Sequence, residues 1–553
     1  MTNRGRTAGW IVLWACLIAS LYIPGLSTQF DFNDDGNLVY PSGAATVEQH
    51  LRLYRDRVLG EYHSLGVFRP VLLAHWQVGA QVLGANAFRW RLARTVWAAL
   101  AAGAMLTLML QLRIRPAAAV LATAVALWSP EQGEVWRALT LSEGVAMPYA
   151  LAGLICAVAA ARSARPTPWD MAGALFVLAA LGCKNTFAAI VPAQMLLRIA
   201  PDGLQLRQAW RRHGRRAAAL GLTLLLPAGH FIIYKSAWHP GQYATAPPDP
   251  GQLITMARGM IKESIFLMVP AALSIAALLT VGKSASEAAQ ERRRDALVQG
   301  LRRLWRDYRG AWLVGLLLLG AGIAIYLPVR LRNPGGRYAI PAAWGGDLWF
   351  AALLSGLIES PASAMRRVAV AAAALGVGAL AIASLAAQQR FAARARCLWR
   401  ALETVGTMAP PERCIAWVYG PELARGEGIH FIWHLRARGH PLRLALIDAG
   451  SGRIDELSEH YVGIPICRRP AIVVSGRRAD APPGFAAAGT IEVPYWFGLR
   501  RYDCYLWRAA PAAKGQRRGS QSSSAPAGGA ISLAATLIGT SREPSSPSWP
   551  SSM

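Results

Sequence analysis

About eleven apolar stretches, most of them near the length needed to cross a bilayer, recur before residue 388 and constrain this chain more than any other feature. A helix crossing roughly 30 Å of hydrocarbon needs about 20 mostly apolar residues, because each residue rises about 1.5 Å. The first stretch runs from about Gly9 to Gly25. No small-residue cleavage site follows it, so it reads as a retained helix and not as a leader. The others begin near Arg91, Pro116, Leu141, Trp169, Thr186, Ala217, Glu263, Ala311, Tyr338 and Val368, with those at Pro116 and Thr186 the shortest.

Composition agrees with a polytopic membrane protein. Of 553 residues, 54% are hydrophobic and only 16% charged, which excludes a disordered chain. The 58 Lys and Arg outnumber 31 Asp and Glu, leaving a formal charge of +27. A nucleic-acid partner would account for the charge but not for the apolar runs, and none is expected. Basic cytoplasmic loops account for both. With the N-terminus in the cytoplasm, one side collects Arg4 and Arg6, Arg113 and Arg115, Arg162 and Arg165, the runs 198–216 and 283–309, and Arg366 with Arg367. Those segments hold about 22 basic and about six acidic residues, a strong positive-inside bias. An odd number of spans then places the C-terminal part outside the cytoplasm, and the expected membrane is a bacterial inner membrane.

The chain divides into three regions. Residues 1–387 form the transmembrane domain, with a first outer loop over 26–90. Within that loop Val71 to Leu83 is apolar but short and interrupted by His75, Gln77 and Gln81, which suits an interfacial or re-entrant helix. Residues 388–510 carry short β-type runs, Cys414 to Tyr419, Leu442 to Ile447 and Ala471 to Val474, and read as a small extracytoplasmic α/β domain. It contains Cys397, Cys414, Cys467 and Cys504, which allow three disulfide pairings or four buried thiols. Residues 511–553 are rich in Ser, Ala, Gly and Pro, the composition of a disordered tail.

The first outer loop opens with Phe30-Asp31-Phe32-Asn33-Asp34-Asp35-Gly36-Asn37, three carboxylates just past the first helix. An acidic pair before glycine is compatible with a plain turn. It is also compatible with divided labour, one carboxylate taking a proton from an acceptor hydroxyl while the other orients substrate or holds a divalent cation.

The order of this acidic pair, Phe68-Arg69-Pro70 and an interfacial helix resembles the GT-C superfamily of polytopic glycosyltransferases. The likeness continues in Ser129-Pro130-Glu131-Gln132-Gly133-Glu134-Val135-Trp136, Leu141-Ser142-Glu143, Leu181-Gly182-Cys183-Lys184-Asn185 and Gly336-Arg337-Tyr338-Ala339-Ile340-Pro341. Within the superfamily it is most similar to the protein O-mannosyltransferase-like branch. The implied fold class is an α-helical polytopic membrane protein of about eleven transmembrane helices, GT-C-like, with a small C-terminal α/β domain.

The resemblance implies inverting transfer of a sugar from a polyprenyl-phosphate-linked donor to a glycan, lipid or protein acceptor on the outer side of the membrane. It places a catalytic acid at Asp34 or Asp35, and either serves as general base. The chain departs from the pattern at Lys184-Asn185, where many relatives have Lys-Glu. The departing phosphate gathers negative charge, which Arg or Lys in a low-dielectric site stabilises. Arg337, after the Gly335-Gly336 pair, and Lys184 are assigned that phosphate; their plainer readings are a snorkelling arginine and an ion-paired lysine. Glu134 orients the acceptor, joins a metal site, or is simply a solvated glutamate. Glu143 caps a helix or faces the same surface, and His75 reads as a packing or headgroup contact and not as a ligand.

A magnesium or manganese ion is a candidate cofactor, with the metal requirement left open. No zinc-type or nucleotide-binding motif is present. Two other classes compete with this reading. A lipid-linked glycan polymerase or ligase usually carries its large loop late in the ladder, whereas here it comes first. A transporter is expected to show paired repeats, and none is evident.

Overall fold

The computed structural model describes residues 3–32, 35, 38, 46–65, 68–202, 206–229, 251, 302, 304–325, 340–359, 363–408, 414–420, 423, 425–437, 440, 443–450, 470–478, 485–496 and 498–509. It divides into two compact units: Met1–Thr28 with Asn37–Gln389, and Gln29–Gly36 with Arg390–Met553.

The first unit is helical. Its described helices are α1 (Asn3–Ala19), which tightens into a 3-10 turn over Ser20–Ser27, α2 (Val47–Leu65), α3 (Pro70–Leu83), α4 (Ala87–Gln111), α5 (Pro116–Trp128), α6 (Pro130–Arg137), α7 (Ser142–Arg162), α8 (Thr167–Cys183), α9 (Ile190–Ile199), α10 (Leu206–Gly221), α11 (Arg309–Ala324), α12 (Ile340–Ile358) and the first part of α13 (Ser363–Met408). Four segments among the described residues are long and apolar enough to span: Gly5–Ser27, Ala87–Gln111, Ser142–Arg162 and Val370–Met408. The chain is an integral membrane protein.

Sequence signals set several helix ends. Proline stands at the first turn of α3, α5, α6 and α8, where its missing N–H is one of the groups a helix leaves unpaired. Asn86 caps α4 by accepting the amide of Arg89 at 3.1 Å. The run expected from Thr186 is not one helix. Lys184 is extended (φ −157°, ψ 118°) and ends α8, a 3-10 turn covers Asn185–Ala189, and α9 has only 10 residues. The run from Glu263 lies outside the described residues. Helices α11 and α12 approach at glycine: a Cβ on Gly345 would sit 2.4 Å from the Gly315 carbonyl oxygen, so only glycine permits this spacing.

The second unit is a five-stranded sheet with helices. Its strands are β1 (Cys414–Tyr419), β2 (Arg443–Asp448), β3 (Ile472–Ser475), β4 (Phe485–Tyr495) and β5 (Arg500–Ala509), in the order β2-β1-β3-β5-β4. Strand β1 is parallel to β2 and β3, and the other neighbours are antiparallel. Helix α14 (Arg425–Ala437) makes the crossover from β1 to β2, as parallel neighbours require.

The period-two alternation of strands sorts side chains onto two faces. Ile415, Trp417, Ile472, Val474, Cys504 and Leu506 face a core with the last turns of α13 and with α14. Ala416, Val418, Ala445 and Val473 make a smaller cluster on the other face. Three strands follow the apolar runs read from sequence. The β4–β5 hairpin, turned through Gly498 at φ +84°, does not correspond to any of them. Cys414 is disulfide-bonded, while Cys397 and Cys504 are buried free thiols, so pairings among those three are excluded.

Candidate active site

Two polar constellations, one in each unit, contain Asp35 and the Glu143–Lys184 pair.

The first is the acidic turn after α1. Asp31 and Asp35 are buried, with Asp35 only 1% exposed. The backbone amide of Asp31 donates to Oδ2 of Asp35 at 2.8 Å, and the amide of Phe32 donates to Oδ1 of Asp31 at 2.9 Å. Carboxylates that accept main-chain N–H groups make charge-assisted bonds, which are the stronger kind. The turn is pinned by Phe32, whose ring is fully buried. It lies 5.2 Å from Trp399, 5.7 Å from Phe431 and 5.2 Å, edge-on, from His434. These are aromatic separations that contribute beyond area burial.

Trp399 Nε1–H donates to the Phe30 carbonyl at 2.8 Å. Nearby, Arg394 pairs with fully buried Glu427 and lies within electrostatic reach of Asp31. The acidic motif is therefore built into the core of the second unit, although its sequence sits in the first outer loop. His430, one turn before His434 on α14, is held neutral: burial, and then His434, pushes its pKa down to about 4.

The second constellation belongs to the first unit. Lys184 Nζ lies 3.0 Å from Glu143 Oε1, with side-chain exposures of 19% and 1%. Ser142 Oγ donates to the other Glu143 oxygen at 3.2 Å. Glu143 enters from the first turn of α7, and Lys184 from the break between α8 and the 3-10 turn. A lysine in such an apolar setting needs an anion beside it, and Glu143 supplies one.

Around this pair, α4 sends two arginines into the turn formed by α6. Arg94 donates to the Val135 carbonyl at 3.1 and 2.7 Å and to the Leu141 carbonyl at 2.8 Å. Arg91 donates to the carbonyls of Thr28 at 3.1 Å and Arg137 at 2.5 Å. Gly144 makes room for Arg94, since a Cβ there would lie 2.3 Å from the guanidinium carbon. Gln132 of α6 donates to Asp347 of α12 at 3.2 Å, and Asp347 is fully buried.

Of the residues singled out from sequence, the structure brings Glu143 and Lys184 together and builds Asp35 into the acidic turn. Glu134 is exposed on α6, a two-turn helix and not a loop, near Arg137. Asp34 and Arg337 lie outside the described residues. His75 faces Trp97 at 5.5 Å, as a packing residue does. It lines an apolar cavity of about 440 Å³ with Val71, Trp90, Arg94 and Tyr149.

Sequence reasoning missed Arg91, Arg94 and Asp347. The first two share a helix face at i, i+3, and the third is an acid inside an apolar run; both are readable signals. Among the described residues no group of three His, Cys, Asp or Glu side chains is placed to hold a metal ion.

No protein-family profile and no curated protein matches the chain. Solved structures do align with it. They include ArnT from Cupriavidus metallidurans bound to undecaprenyl phosphate, 14% identical over 91% of this chain and 98% of that one, with a TM-score of 0.48. The same protein in the apo state aligns at 15% identity with the same coverage and TM-score. The archaeal oligosaccharyltransferase AglB from Archaeoglobus fulgidus, in complex with an inhibitory peptide and a dolichol-phosphate, is 12% identical over 79% of this chain and 64% of that one, with a TM-score of 0.42.

Proposed function

We propose that this chain is an inverting glycosyltransferase that moves a sugar from a polyprenyl-phosphate-linked donor to a glycan, lipid or protein acceptor at the outer face of a bacterial inner membrane. The observation that carries this reading is the acidic turn, in which Asp35 is buried with one oxygen committed to the Asp31 amide. A carboxylate so engaged is suited to shaping the turn, which supports taking its neighbour Asp34 as the base, with Asp35 the alternative.

In this reaction the acceptor oxygen attacks C1 of the donor sugar as the C1–O bond to phosphate breaks on the opposite face, through an oxocarbenium-like transition state. The acceptor's proton passes to the Asp34 carboxylate. The electron pair of the broken bond leaves on the phosphate, whose growing charge Lys184 and Arg337 stabilise. Glu143 orients Lys184 for that contact. Glu134 serves acceptor placement. If a magnesium or manganese ion takes part, Asp34 and Asp35 are its candidate ligands.

The test is incubation of the purified protein in sealed vesicles with radiolabelled polyprenyl-phosphate sugars and an envelope extract as acceptor source. Label recovered on a new product supports transfer of a single sugar. Transfer of preassembled oligosaccharide alone would make the protein a glycan ligase, and label accumulated unchanged in the lumen would make it a transporter.

A further inference from the structure

Helix α10, Leu206–Gly221, carries Arg207, Arg211, Arg212, Arg215 and Arg216 and no acidic residue. All five arginines are exposed. The opposite face, with Gly214, Ala217 and Leu220, is buried, and Ala217 packs against Ile199 and Ala200 at the end of α9. The arginines thus form one cationic face on a helix that is otherwise seated. Arg207, Arg211 and Arg215 repeat at i, i+4, as do Arg212 and Arg216, a spacing at which like charges repel.

Among the described residues the acid offered to this face is Asp170, which lies 3.6 Å from Arg216 and is already taken by buried Arg198 at 2.5 Å. A face assembled against its own repulsion calls for an anion, and guanidinium forks match phosphate oxygens. The source of the phosphate is marked by the residues at the C-terminal end of the helix. Beyond Gly221 the exposed side chains change from arginine to leucine, with Leu222, Leu225 and Leu226 uncovered. Arginine followed by leucine is the series that a surface meets on passing from headgroups to acyl chains.

We infer that the exposed face of α10 is a binding surface for the headgroups of anionic phospholipids, with the leucines after Gly221 entering the acyl boundary. Nucleic acid offers the same phosphates but leaves the leucines without a partner. This surface is independent of the transfer reaction and of which side of the membrane it faces.

The test is hydrogen exchange on the full chain in nanodiscs of phosphatidylcholine alone and of phosphatidylcholine with phosphatidylglycerol. With the anionic lipid, the amides of 206–221 exchange about fivefold slower, the factor one arginine–lipid contact supplies. High salt reverses the effect, while the β4–β5 hairpin is unchanged. The full-length variant R207Q/R211Q/R212Q/R215Q shows no lipid dependence. If that variant does not insert, the salt titration of the wild-type chain decides alone. Equal exchange in both lipids, or protection that persists in high salt, overturns the inference. So does protection by a DNA duplex that phosphatidylglycerol does not reproduce.

Discussion

Oδ2 of Asp35 accepts the backbone amide of Asp31 at 2.8 Å, closing the acidic turn on itself. Removing the acceptor leaves a buried N–H unpaired, at a cost of about 1–3 kcal/mol. Asp35→Ala is therefore expected to lower the thermal midpoint of the extracted protein and to reduce transfer. Asp35→Asn keeps an oxygen that accepts the same amide, and it is expected to retain both stability and most activity. Loss of transfer in Asp35→Asn with an unchanged melting curve would make Asp35 the base.

Phe32 anchors that turn among Trp399, Phe431 and His434. Phe32→Ala opens a cavity worth about 3–5 kcal/mol in a core of this kind. Limited proteolysis should then cut within residues 390–509 much faster, and transfer should fall with it. Phe32→Leu, which refills most of the volume, should recover both.

Glu143 and Lys184 form a pair that is structural and, in the proposed reaction, functional. Either Glu143→Gln or Lys184→Met alone leaves a poorly solvated charge, and breaking such a pair costs about 3–5 kcal/mol. The double variant removes both charges and should regain most of the stability lost by each single change. Its transfer activity should stay low, because the phosphate contact is gone. A double variant that regains full transfer would show the pair to be structural only.

His430 is neutral in the fold, with its pKa lowered from 6.5 to about 4. The unfolded chain binds a proton at higher pH than the folded one, so stability rises with pH between these values. Its contribution is complete above about pH 6.5 and is lost as pH falls toward about 4, amounting to about 3 kcal/mol over the window. Melting curves of the protein from pH 7.5 to 4.5 should show this loss, and His430→Phe should flatten it.

The four membrane-length helices among the described residues and the first three strands were legible because both rest on local periodicity. The runs at Cys414, Leu442 and Ala471 became β1, β2 and β3. Strand β4 was hidden by its composition: Phe485–Tyr495 contains three alanines, Gly489 and Pro494, which are poor strand formers. Helix α13 outran its hydropathy. Past Gln388 the pattern turns from continuously apolar to amphipathic, with Ala393, Cys397, Leu398, Ala401, Leu402 and Val405 inward, and a membrane-length criterion stops where the helix does not.

The acidic motif itself was readable, but its surroundings were not. Phe32 meets Trp399 and Phe431 across more than 360 residues of chain, and no local pattern announces such a contact. The same holds for Glu143 and Lys184, each conspicuous alone and joined only by the packing of α7 on α8.

In the proposed reaction the Asp34–Asp35 turn supplies the base for sugar transfer. The most direct measurement is the initial rate of radiolabelled sugar transfer by purified Asp34→Asn in vesicles, beside wild type, with melting curves for both. The proposed chemistry predicts a fall of at least about 100-fold, the contribution of a general base, with an unchanged melting curve. Wild-type rates from Asp34→Asn and from Asp35→Asn alike would contradict it.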